Sequence, residues 1–206
     1  QAAASGLVII TGGPGTGKTT VINTIIRYFE QEGLELRLAA PTGRAAKRMT
    51  EATGYQAQTI HRLLELNGGV ETDSEAGIHF ERNAQNPLEA DVVIIDEMSM
   101  VDIYLAHALL EAVVPGTHLI LVGDVNQLPS VGPGNVLKDI IYSRAFPVIE
   151  LSTVYRQEEG SDIVMNAHRI NHGEYPVMNN KSRDFFLLPR ANPQAVIEEV
   201  GKLVSV

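Results

Sequence analysis

At 206 residues with 44% apolar content, the chain can bury one sizeable core and hardly two. The absence of cysteine excludes a disulfide framework and a thiolate metal site, and no apolar run approaches the roughly 20 residues that span a bilayer, so a soluble, cytoplasmic protein is expected. A formal net charge of −9 argues against wholesale electrostatic capture of nucleic acid, yet between positions 37 and 62 the bases Arg37, Arg44, Lys47, Arg48 and Arg62 face the single acid Glu51, a window of +4 that leaves −13 elsewhere.

The first predicted element is a strand, LVIIT at 7 to 11. VINTIIRYF follows as a helix with Val21, Ile22, Ile25, Ile26 and Phe29 on one face and Gly33 as its stop. A second strand, LELRLAA (34 to 40), ends at Pro41, and a helix begins there with small and basic residues. NGGVETDSEAGIHFERN (67 to 83) reads as a polar hairpin projecting from the core, with Val70 and Thr72 opposite Ile78 and Phe80 across a turn at 74 to 77. DVVIID (91 to 96) and HLILVG (118 to 123) are strands, separated by a helix that Asp102 caps and Pro115-Gly116 ends. FPVIEL (146 to 151) is another strand, and Ser161 caps a helix running to about His172. The tail gives one more strand at DFFLLPR and a helix opened by Asn192 and Pro193. Continuous apolar strands alternating with helices predict an α/β protein, its parallel sheet covered on both faces. There is no internal repeat, and both Gln1 and the abrupt tail fit a fragment of a longer chain.

The strongest chemical signal is GGPGTGKT, Gly12 to Thr19, which fits G-x-x-x-x-G-K-[ST] between a strand and an amphipathic helix. Its glycines let backbone N–H groups converge on nucleotide phosphates at a helix N-terminus, Lys18 adds positive charge, and the Thr19 hydroxyl reaches Mg²⁺. Asp96, at the end of a buried strand, can hold the metal through water, and Glu97 beside it can orient and deprotonate a water. That adjacent acid pair points to nucleotide hydrolysis rather than transfer to another acceptor. LAAPTGRAAKRM (38 to 49) and QTIHRLL (58 to 64) offer small residues for close approach of a phosphate backbone, with Arg44, Lys47, Arg48, Thr59 and His61 to contact it. By itself the same window fits a solvated helix face. Arg156, after the last sheet strand, suits an arginine finger or a surface ion pair.

Taken in order, GGPGTGKTT, APTGRAAKRM, TIHRLL, IIDEMSMVD, VGDVNQLPSVGPG and LSTVYRQ resemble the first motor domain of superfamily 1 helicases. The likeness is to the RecD/TraA branch, which includes the α subunit of exodeoxyribonuclease V. The resemblance implies a RecA-like P-loop fold over residues 1–206, the first of two motor domains of an ATP-dependent 5′-to-3′ helicase in DNA repair or recombination. Residues 67–83 would be the pin that splits the duplex, and 184–206 the start of the connection to the second domain. It assigns the ATP cradle to Gly13, Pro14, Gly15, Thr16, Gly17, Lys18, Thr19 and Thr20, and the metal to Thr19 and Asp96. Catalytic roles fall to Lys18, Asp96, Glu97, Gln127 as γ-phosphate sensor, and Arg156. Single-stranded DNA would meet Pro41, Thr42, Gly43, Arg44, Thr59 and His61. The cofactors implied are ATP and Mg²⁺, and the partners DNA, its duplex junction and nuclease or helicase subunits, around a monomeric motor without membrane contact. In RecA-like ATPases with an adjacent Asp-Glu pair the fourth strand, here HLILVG, lies between the P-loop strand and the Asp-Glu strand. Gly123, Asp124 and Gln127 are therefore expected between Lys18 and Asp96. The glutamine motif that reads adenine in this family is missing upstream. Two other readings fit a P-loop: a nucleotide or nucleoside kinase, and a nucleotide-gated assembly ATPase.

Overall fold

The computed structural model describes residues 5–67, 79–153, 161–178, 181 and 183–205. They fall into two compact units, Gln1–Arg156 and Gln157–Val206.

In the first unit the chain alternates as expected. Strand β1 (Leu7–Gly12) leads to helix α1 (Lys18–Gln31), β2 (Leu36–Ala40) to α2 (Gly43–Thr53), and the short pair β3 (Ala57–Thr59) and α3 (Ile60–Leu63) follows. Strands β4 (Leu66–Asn67) and β5 (His79–Phe80) form a separate antiparallel pair. Next come β6 (Val92–Ile95), a single 3-10 turn at Met98–Met100, α4 (Ile103–Ala112), β7 (His118–Gly123), α5 (Val136–Ser143) and β8 (Val148–Leu151). The main sheet has the order β3-β2-β6-β7-β1-β8, and all its pairings are parallel. Strand β7 thus lies between the P-loop strand and the Asp-Glu strand.

Alternation along these strands explains why their sequences are continuously apolar. Val8, Ile10, Leu38, Val92, Ile94, Ile120 and Val122 face one side, where they pack with Ile22, Ile26 and Phe29 of α1 and Met49 of α2. Ile9, Ala39, Val93, Ile95, Leu119 and Leu121 face the other, against Ile60 and Leu63 of α3, Leu105 and Leu109 of α4 and Val136 and Leu137 of α5. A strand buried on both faces has no position for a polar side chain. Helix α1 stops where expected: Gly33 takes φ +74°, and the Gly33 and Leu34 N–H groups donate to the carbonyls of Glu30 and Phe29, which closes the last turn. Asp102 caps α4 by accepting from Leu105 N at 2.9 Å.

Three expectations change. Strand β3, only three residues long, pairs with β2 and extends the sheet beyond the predicted strands. The hairpin expected at 67–83 has its base in β4 and β5, but Phe80 pairs with Leu66 rather than with the expected Val70 and Thr72 strand. The register is set from the base, where Glu81 N and Arg82 N donate to the carbonyls of Glu65 and Leu64, and Arg82 forms an ion pair with Glu65 at 2.9 Å. Val70, Thr72, Ile78 and the turn at 74 to 77 lie outside the described residues. The strand expected at DFFLLPR does not form: residues 185–190 have no regular structure. Pro189 has no N–H to offer a ladder there.

The second unit holds α6 (Asp162–Asn171) and α7 (Pro193–Val204). Ser161 caps α6 and donates from its hydroxyl to Asp184 at 2.6 Å, while the buried Asn166 exchanges hydrogen bonds with the Val177 backbone. Asn192 caps α7, with Pro193 at its first position.

Two glycines should respond oppositely to alanine. A Cβ on Gly12 would lie 2.6 Å from Thr16 Oγ1 and 2.8 Å from the Leu151 carbonyl, whereas one on Gly43 meets nothing within 4 Å. Gly12→Ala is expected to destabilise the fold by about 1–3 kcal/mol, and Gly43→Ala to stabilise it by about 0.4–1 kcal/mol. Denaturant unfolding of the two variants checks this, and equal midpoints would refute the packing argument.

Candidate nucleotide site

The carboxyl ends of β1, β6 and β7 surround a cavity of about 570 Å³. Its walls include residues 13–20 of the P-loop together with Asp96, Glu97 and Gln127, which the sequence had pointed to, and the α2 residues Ala45, Arg48, Met49, Ala52 and Thr53.

The loop after β1 is held from within. Thr16 is buried, and its hydroxyl donates to the Gly13 carbonyl at 2.9 Å. Lys18 Nζ donates to the carbonyls of Gly12 at 2.6 Å and Gly13 at 3.0 Å. Gly15 and Gly17 adopt φ of +76° and +86°, and Gly17 precedes α1 without a side-chain cap. First-turn N–H groups of α1 therefore remain for an anion, favoured further by the helix dipole.

Across the cavity, Asp96 Oδ1 accepts from the Glu97 N–H at 2.8 Å. Burial pushes the Asp96 carboxyl above its ordinary range, and this hydrogen bond and the Lys18 charge offset that only in part. Burial likewise raises Glu97, as do the charges of Asp96 and Asp124, against the opposing pull of Lys18 and Arg48. Glu97 has φ +54° and ψ +40°, a left-handed backbone that turns the chain from β6 into the 3-10 turn. That conformation costs a non-glycine residue about 1–2 kcal/mol.

Beyond β7, Asp124 is buried and its Oδ1 accepts from Asn126 N at 2.9 Å, which shapes the turn that carries Gln127 into the cavity. Asp124 therefore supports the turn, and Gln127 lines the cavity. The loop that follows is fastened to α4: Ile103 N donates to the Pro133 carbonyl at 2.9 Å, and Gly132 sits against Asp102 with no room for a Cβ. Two hydroxyls at this edge, Thr11 and Ser99, are buried without a hydrogen bond among the described residues; Ser99 lies within the IIDEMSMVD motif, but the sequence assigns no role to either residue.

The residues expected to meet a polynucleotide lie at the ends of β2 and β3, which pair Ala40 with Thr59. Thr42 caps α2 through Ala45 N, and Thr59 caps α3 through Arg62 N, each at 3.2 Å. Both hydroxyls still have a proton to donate. Pro41 is half-buried, Gly43 and Arg44 are exposed, and His61 lies 6.0 Å from the Phe80 ring at the hairpin base. The basic window, however, is not one surface. Arg37 pairs with Glu35 at 2.6 Å towards the opposite end of β2, Lys47 with Glu51 at 3.8 Å, and Arg48 lines the nucleotide cavity. Linear charge counting merged residues that the helix turns in different directions. Arg156 lies outside the described residues.

The donor set suits a hard cation. Thr19 and Asp96 share the cavity and offer only oxygens, and no cluster of three or more His, Asp or Glu ligands occurs among the described residues. Mg²⁺ binds typically through one or two carboxylates with phosphates and water rather than in an all-protein cage.

A sequence profile described as an AAA domain matches residues 1–133, a span that takes in the P-loop, the acid pair and Gln127. The chain belongs to this family. The chain is 42% identical over 181 residues to the ATP-dependent RecD2 DNA helicase of Deinococcus radiodurans, covering 88% of this chain and 24% of that protein. It is also 40% identical over 194 residues to the RecBCD enzyme subunit RecD of Mycolicibacterium smegmatis, covering 82% and 34%. The chain thus spans a quarter to a third of these relatives. The Pif1 helicase of Candida albicans shares the fold, with a TM-score of 0.60 at 22% identity over 99% of this chain and 52% of that one. This likeness to RecD proteins does not favour the kinase and assembly-ATPase readings. No helix among the described residues is long and apolar enough to cross a membrane.

The buried acids set a pH signature. A folded carboxyl with a raised pKa holds its proton more tightly than the unfolded chain does, so its contribution is full below the unfolded value and is lost as pH rises through the folded one. Asp96→Asn keeps an oxygen for the Glu97 N–H. In thermal melts without ligand it should exceed the wild type at about pH 8 and lose that advantage as pH falls through the raised folded pKa towards the ordinary carboxylate range, below which none remains. A wild type that melts higher at the upper pH would show that the burial is not costly.

Proposed function

We propose that the chain is the first RecA-like motor domain of an ATP-driven 5′-to-3′ DNA helicase acting in repair or recombination in the cytoplasm. The observation that carries this reading is the convergence of the P-loop, the Asp96-Glu97 pair and Gln127 on one cavity, beside a helix whose first turn carries the motif of the strand track. In this reading residues 1–206 are one of two motor domains, the hairpin at 67–83 is the pin, 184–206 leads towards the second domain, and Arg156 serves as an arginine finger. Partner nuclease or helicase subunits would join a motor that is itself monomeric.

Backbone N–H groups of the P-loop and Lys18 bind and orient the β- and γ-phosphates of ATP. Thr19 and Asp96 would hold Mg²⁺, which supplies positive charge to the phosphate oxygens when bound. Glu97 orients a water and takes its proton. The Gln127 amide donates to the γ-phosphate before hydrolysis and loses that partner afterwards. Because its loop is tied to the start of α4 through Pro133 and Gly132, the change is passed to the protein frame. On the outer edge, Thr42, Gly43, Arg44, Thr59 and His61 contact phosphate and sugar, which gives grip without sequence preference.

The intact parent should unwind duplexes with a 5′ single-stranded tail and neglect those with a 3′ tail in a strand-displacement assay; the opposite polarity would overturn the assignment. Gln127→Ala should leave ATP affinity within about twofold while DNA-stimulated turnover falls by at least about tenfold. Unchanged stimulated turnover would remove Gln127 from the coupling.

A further inference from the structure

A further cavity, of about 730 Å³, lies between the hairpin base and α4, and rings line much of it: His61 from α3, His79 and Phe80 from β5, and Tyr104 from α4. The rings of His61 and Phe80 lie 6.0 Å apart, tilted by 48°, and Phe80 also packs against the core. Tyr104 is 72% exposed. Helix α4 is held to the core by Leu105, Ala106 and Leu109, so the fold makes no use of the Tyr104 ring. The charges on this wall do not suit a phosphate. Arg82 is already engaged by Glu65 at 2.9 Å, Glu89 at 3.7 Å and the Pro87 carbonyl at 3.1 Å, no lysine lines the cavity, and the acids Asp102 and Glu111 do. Aromatic faces, with the Gln85 amide and imidazole nitrogens beside them, fit a flat, uncharged group with polar edges. The cavity also borders the edge proposed for the strand, because His61 belongs to both: it lines the wall and stands two residues after Thr59, the cap of α3.

Accepting the strand reading of the proposed function, we infer that this cavity takes one unstacked nucleobase of single-stranded DNA, with the Tyr104 ring as its stacking surface and Phe80 and His61 as the rest of the aromatic wall. Every base has a π face, so such a site grips without choosing a sequence. Phosphates stay outside it, at Thr59 and the first turn of α2. The site also adjoins the loop that follows Gln127: Asp102, on its wall, packs against Gly132, and Ile103, next to Tyr104, donates to the Pro133 carbonyl at 2.9 Å. A base that enters or leaves therefore bears on the same helix start that holds the phosphate-sensing loop.

The test uses the full-length helicase in fluorescence-anisotropy titrations with two labelled oligomers of equal length, oligothymidylate and its fully abasic counterpart, comparing wild type, Tyr104→Ala and Tyr104→Phe. Tyr104→Ala should weaken oligothymidylate binding by about 5- to 100-fold, the loss of one base stacked on a ring. Its affinity for the abasic oligomer should stay within about twofold of wild type, since phosphate contacts are kept. Tyr104→Phe, which retains the ring, should match wild type on both oligomers. Wild-type affinity of Tyr104→Ala for oligothymidylate would overturn the inference. So would a phenylalanine variant no better than alanine, or an equal loss on both oligomers, which would place Tyr104 against phosphate or in the fold. A wild type that binds neither oligomer would instead sink the strand reading on which the inference rests.

Discussion

Strand β7 pairs with β1 on one side and β6 on the other, and the site depends on that placement. In a parallel sheet all three strands point the same way, so their C-terminal loops leave from one edge. The P-loop comes from β1, the acid pair from β6 and the Gln127 turn from β7. Burial of both sheet faces fixes the register: a one-residue slip would exchange Val8 and Ile10 for Leu7, Ile9 and Thr11 on the face that α1 covers.

The same burial makes the site costly to hold. Asp96 emerges from a strand whose four residues are all fully buried, so its carboxylate is poorly solvated before any cation arrives. Glu97 adds a second acid next to it, on a backbone in a region that non-glycine residues avoid. The stabilisation needed to offset these terms comes from the two apolar layers, not from the site. Such local departures from the rules of folding are expected where chemistry outranks stability.

Much of this was legible in the sequence because it was written as period or spacing. Double-sided strands gave continuous apolar runs, α1 gave its apolar stripe, and Gly33, Asp102, Ser161 and Asn192 acted as the stop and caps they resemble. The P-loop and acid pair were legible because their spacing has a mechanism. What escaped was whatever depends on three-dimensional neighbours. Ala57–Thr59 is too short and too polar to announce a strand, and it is one because β2 offers an edge. The hairpin register followed from bonds at Glu81 and Arg82, not from alternation near the turn. Arg48 sat in a run of charges whose members the helix sends to different surroundings, so that counting them along the chain hid the one that lines the cavity.

The two capping threonines carry a consequence of their own. Thr42 and Thr59 each use the oxygen that terminates a helix as the oxygen proposed to meet the strand. Fold and grip are therefore selected through one atom at each position, and drift there is confined to side chains that can end a helix. Serine is the nearest such neighbour in chemistry.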